Sequence, residues 1–145
     1  MTNVLEYLYR LSLESPWQWW MFFGPADAKP GEPPELSVHM LSAYILGLER
    51  GAGDSAAHEY RDFLHWLRDV KNEWPGQGWP AKFLADAAGD HRAAIAKFFE
   101  FVREYARLQR SAWFVEFNSH AQPSMILRGN GEPYSLDVRD PADRI

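Results

Sequence analysis

Four residues of one stretch, His58, Asp62, His65 and Asp69, are spaced 4, 3 and 4 apart. On a helix that spacing lines up imidazoles and carboxylates, as a divalent metal site requires. Such a face would make the chain a metal-dependent enzyme if other segments supplied further ligands and oriented them. The order His58-Glu59-Tyr60-Arg61-Asp62 is not the zincin pattern, because position 62 is aspartate. The face also lies opposite the apolar positions Tyr60, Leu64 and Leu67. It reads as a solvated helix surface, with no metal and no cofactor expected.

The same stretch holds a second pattern. Glu59, Asp62, Asp69 and Glu73 share a flank with Trp66 among them, while Arg61, Arg68 and Asn72 take the other flank. An indole ringed by carboxylates suits an interface: the ring supplies desolvated area and the acids steer a basic partner. These five residues, Glu59, Asp62, Trp66, Asp69 and Glu73, are the candidate partner-binding set. The competing reading packs Trp66 beneath the C-terminal strands and leaves the acids to keep the helix soluble.

Other chemistry finds less support. Trp17-Gln18-Trp19-Trp20 and the Trp74–Trp79 segment could stack sugars or bases, but no basic groove accompanies them, and core packing fits better. His39, His91 and His120 are scattered. No serine has a Ser/His/Asp setting, and Gly-x-Ser-x-Gly is absent. Gly76-Gln77-Gly78 lacks the lysine of a phosphate loop. No catalytic residue is assigned.

The elements that must position these residues are mostly helices. Residues 2–14 carry Val4, Leu5, Leu8 and Leu11 at helical spacing. After Ser15-Pro16, residues 17–23 fit a short helix or a short buried strand, and the four prolines of 25–35 mark an exposed loop. A helix over 34–50 is predicted with Leu36, Met40, Ala43, Tyr44 and Leu48 on one face. Val38, Leu41 and Ile45 lie alongside. The 54–73 helix presents Tyr60, Phe63, Leu64, Leu67, Val70 and Trp74. A short helix over 81–88 follows the Trp74–Pro80 turn. The helix over 90–109, capped by Asp90, has so wide an apolar arc (Ile95, Phe98, Phe99, Val102, Tyr105, Ala106) that it is expected at the centre of the core.

Beyond Arg110 the composition changes. Residues 112–117 have strand composition, and Gly129-Asn130-Gly131 between two apolar runs signals a hairpin. A lone hairpin is marginal in water, so it should lean on the helical body. The predicted fold is mainly α: a compact helical domain of four to five helices with a small C-terminal antiparallel β-hairpin. Residues 1–145 are expected as a single domain, with 1–110 the helical body, 111–139 short strands packed on it and 140–145 a frayed tail.

Composition narrows the function. The chain has 145 residues, 46% of them apolar, enough for a core. It has no cysteine, so disulfide frameworks, thiol nucleophiles and cysteine–zinc sites are excluded. A net charge of −5 argues against nucleic acid as a partner. The N-terminal residues lack a signal-peptide pattern and no apolar run is long enough to span a bilayer, so a cytoplasmic location without a membrane partner is expected.

The order Pro16, Phe23-Gly24, Tyr44 with Gly47, Phe63 with Trp66, Gly78-Trp79, Phe98-Phe99 and Glu104-Tyr105 resembles a diffuse family of small bacterial helical proteins. Some of its members are similar to immunity proteins encoded beside toxins. The resemblance covers residues 3 to 108. The Trp-Gln-Trp-Trp segment departs from the family's turn, and the C-terminal strands extend beyond its pattern. It implies an immunity protein that neutralises a toxin; with the acidic composition and the carboxylate flank around Trp66, the expectation is a small acidic cytosolic protein that acts by occlusion on a basic toxin domain. The alternatives are the metal-dependent enzyme above or a non-catalytic scaffold or regulatory protein.

Overall fold

Asn3 begins the first helix. Its side chain accepts from the Glu6 amide at 3.0 Å, pairing one of the donors that a first helical turn leaves open. The computed structural model describes residues 3–13, 36–74 and 76–145. The expectations for 17–23 and for the proline-rich loop 25–35 lie outside the described residues. Among the described residues the elements are α1 Val4–Ser12, α2 Val38–Ala52, α3 Asp54–Asp69, α4 Trp79–Asp86, α5 His91–Gln109 and α6 Ala112–Ser119, then β1 Pro123–Leu127 and β2 Pro133–Asp137. The chain is mainly helical with a small antiparallel hairpin at the C-terminus, as its periodicities predict. It divides into two compact units, residues 1–103 and 104–145, and the division falls within α5.

In the first unit α1 packs on α2 and α3, and α2 on α3 and α4. Ser37 caps α2, and Val38, Leu41 and Ile45 are the residues it buries. Of the stripe expected inward, Met40 and Ala43 are exposed, Tyr44 and Leu48 are half-buried and Leu36 is buried. Both stripes are apolar, so periodicity alone does not choose between them. Two cross-helix polar contacts go with the observed rotation. The Tyr7 and Tyr44 hydroxyls meet at 2.8 Å, and the Val38 amide donates to His91 Nδ1 at 3.1 Å. Burial and the Tyr44 hydroxyl push the Tyr7 phenol above its ordinary pKa.

α3 ends at Asp69, short of the expected 73. The Val70 and Lys71 amides both bond the Trp66 carbonyl, and Asn72 adopts a positive φ of 55°. Gly53, with φ of 85°, makes the corner between α2 and α3, a conformation that β-carbons disfavour. Asp90 caps α5 through the Ala93 amide. Ala94, Ile95, Phe98, Phe99, Val102, Tyr105 and Ala106 of α5 are buried, while Leu108 is exposed. Phe98 lies against Trp79 in a stacked pair at 4.3 Å and meets Phe63 edge-on at 5.8 Å. α5 was expected to be the most buried helix. α1 is more enclosed by share, with six of nine residues buried against seven of nineteen.

In the second unit the expected strand at 112–117 is the helix α6. Its residues have strand composition, but Phe114, Phe117 and Asn118, three and four apart, are the ones buried. That is helical spacing, and here it overrides local propensity. The hairpin register pairs Met125 with Ser135 and Ile126 with Tyr134. At the turn the Gly131 amide bonds the Arg128 carbonyl, and the Glu132 amide bonds the Asn130 side chain. Arg139 ties the hairpin to α6 by donating to the Asn118 carbonyl at 2.9 Å. Residues 140–145 are held rather than frayed. Arg107 pairs with Asp140 and with Asp143, which is only 5% exposed, and the Ile145 amide bonds the Asn118 carbonyl.

Phe98→Ala is expected to cost about 3–5 kcal/mol, the range for deleting a buried ring, measured by denaturant unfolding. The second unit should be acid-sensitive. The Arg139 guanidinium holds the Asp137 carboxyl well below the usual carboxylate range, against an opposing desolvation. A depressed carboxyl contributes stability that is complete above its unfolded pKa of about 4 and is lost as pH falls below it. Hairpin amide signals followed by NMR from pH 6 to pH 2 should show that loss, and Arg139→Gln should flatten it.

Candidate functional site

Tyr60, Phe63 and Leu67 set the rotation of α3, because they are its buried stripe. At 100° per residue, His58, Asp62, His65 and Asp69 point most directly away from that stripe. The Glu59/Trp66 flank lies to one side of it, and Arg61, Leu64 and Arg68 to the other. His58 and His65 are exposed, as a solvated face requires. His58 Nε2 stands 3.5 Å from Asp62 Oδ2, with the two side chains 76% and 47% exposed. Among the described residues no cluster of three His, Cys, Asp or Glu side chains could hold a metal ion.

The five candidate partner-binding residues have different settings. Asp62 and Asp69 are exposed. Asp69 is held by the Arg68 guanidinium at 2.8 and 3.1 Å, which depresses its pKa. Glu59 accepts from the Asn3 side chain at 3.4 Å. Trp66 is half-buried, its ring 6.1 Å from Phe63 and 6.2 Å from Phe101, with the Lys71 ammonium 5.2 Å from its centre. The indole is thus packed against neighbouring rings and has a cation beside it. Glu73 lies beyond the end of α3. It closes a ring of alternating charges: Lys82 bonds Glu73 at 2.5 Å and Asp86 at 2.7 Å, and Lys97 reaches Asp86 at 3.0 Å and Glu73 at 3.5 Å.

On the opposite flank is an open groove of about 270 Å³, lined by Arg61, Leu64, His65, Arg68 and Trp74. Its lining is almost wholly apolar despite the two arginines. Arg61 bonds Glu49 and Asp54, each at 3.0 Å, and Arg68 is turned to Asp69. With the heads engaged, the methylene stems are left to wall the groove. The carboxylates of Asp54 and Glu49 raise the Arg61 pKa, and that of Asp69 raises the Arg68 pKa. The sequence signal for this groove is the pairing of Arg61 and Arg68, seven apart, around Leu64. Periodicity hides it, because Leu64 and Trp74 both fall on the core face of a helix continued to residue 73.

Comparison of the chain with protein-family models, with curated proteins and with solved structures returned no match to any of them. Among the described residues no helix is long and apolar enough to cross a membrane.

The Glu73 ring is expected to act on stability. Glu73→Ala leaves two ammonium groups facing Asp86 alone, so the melting midpoint should fall at low ionic strength. The deficit should shrink at about 1 M salt, where screening is nearly complete. Calorimetry of both proteins across a salt series tests this.

Proposed function

We propose that this chain is a small non-catalytic binding protein, an immunity protein of the bacterial cytoplasm, that neutralises a toxin by covering it with the solvent face of α3. One observation carries the reading. An open apolar groove, about 270 Å³, lies beside the exposed carboxylates Asp62 and Asp69. A partner can seat an apolar side chain between Leu64 and Trp74 while its basic residues face those acids. Interface energy concentrates in such pockets, and rim charges mainly set the rate of encounter. The net charge of −5 and the family resemblance support the same reading. They also favour a protein partner over nucleic acid or a membrane. Within the five-residue set, Asp62 takes the steering role, Asp69 adds to it only as far as its pairing with Arg68 leaves it, and Trp66 supports the face. Glu59 and Glu73 are left to structure.

Co-purification with the product of an adjacent toxin gene, followed by a protection assay, is the test. Leu64→Glu places a charge in the groove and should weaken binding by about 2 kcal/mol or more, as loss of a central anchor does. Asp62→Lys/Asp69→Lys should slow association and abolish protection at unchanged expression and unchanged helical signal. Full protection by both variants would remove this face from the toxin contact.

A further inference from the structure

Among the described residues the hairpin is a two-stranded sheet, so each strand has an outer edge. The hydrogen-bond register tells which backbone groups face it. The Val138 amide bonds the Gln122 carbonyl, the Arg128 amide bonds the Glu132 carbonyl, and both pairs continue the ladder's register. Bonded pairs alternate with non-bonded ones in an antiparallel ladder. Positions 122, 124, 126 and 128 therefore bond across to β2. Pro123, Met125 and Leu127 turn their backbone groups outward.

The two edges differ. On β2 the outward positions are Pro133, which has no amide proton, Ser135 and Asp137, whose carboxylate is engaged by Arg139. A proline and a charge are the usual protection of an edge against further pairing. β1, Pro123-Ser124-Met125-Ile126-Leu127, has no charged residue. Its outward Met125 and Leu127 are 66% and 72% exposed, and they share a sheet face with Pro123 and Pro133.

We propose that two copies of this chain associate through the outer edge of β1, pairing antiparallel about Met125 to make a four-stranded sheet. The strand is self-complementary in that register. Met125 exchanges amide and carbonyl bonds with its counterpart, and the Leu127 amide meets the Pro123 carbonyl. Every outward amide finds an acceptor; Pro123 has no amide proton to return, so each Leu127 carbonyl at the two ends of the pairing is left to water. No like charges face each other: Arg128, whose guanidinium stacks on Tyr134 at 5.1 Å, comes opposite Gln122. The exposed Met125 side chains cover one another, and each Leu127 covers a Pro123. The inference is independent of the α3 reading, since it uses none of that surface.

Sedimentation and light scattering of the full chain over a concentration series should give a dimer of twice the chain's mass. In the dimer the Met125 and Leu127 amides should exchange slowly, with protection that grows with protein concentration. Met125→Lys should abolish the dimer while the helical circular dichroism and melting midpoint stay unchanged. Leu136→Lys, on β2 and on the opposite sheet face from Met125, should leave it intact. A wild-type chain that stays monomeric at every concentration overturns the proposal. So does a dimer whose Met125 and Leu127 amides exchange freely, a reading that needs no variant, or one that dissociates with Leu136→Lys but persists with Met125→Lys.

Discussion

Phe98 is the point on which the first unit turns. Trp79 of α4 stacks on it at 4.3 Å and Phe63 of α3 meets it edge-on at 5.8 Å, so three helices share one ring. The Phe63–Phe98 pair is edge-to-face, a geometry that aromatic rings favour, so the cluster holds angles as well as separations. The orientation of Phe63 fixes the rotation of α3. That rotation decides that Asp62 and Asp69 reach solvent, and that Arg61, Leu64 and Arg68 face the groove.

Legibility from the sequence followed a physical rule. Elements whose local pattern and buried face agree were readable: the Asp90 cap and aromatic arc of α5, the Asn130-Gly131 turn and the stripe of α1. Elements with two apolar faces, or with composition set against periodicity, were not. The inward face of α2 goes with partners on other helices, Tyr7 and His91, which lie far away in sequence. Trp113, Phe114 and Val115 favour strands by type, yet the residues buried in α6 recur at helical spacing. The held C-terminus depends on Arg107, more than thirty positions upstream of its aspartates. At the candidate site, Asp62 and Asp69 were legible as exposed acids. The groove was hidden by the break at Asn72, which no helical periodicity announces.

Most charges on and around α3 are matched at short range. Arg61 sits between Glu49 and Asp54, and Arg68 holds Asp69. Pairs this exposed contribute little to stability singly. Their effect on the surface is one of direction: guanidinium heads point away from the groove, and hydrocarbon is left behind.

The ring of Glu73, Lys82, Asp86 and Lys97 bears on this charge pattern at a distance. Four alternating charges of zero sum form a quadrupole, whose potential decays much faster than that of a single ion. At about 8 Å, one Debye length in physiological salt, it is close to silent. Glu73 thus counts toward the net charge of −5 but adds almost nothing to the field beyond the surface. An approaching molecule would sense a sparser protein than the sequence suggests.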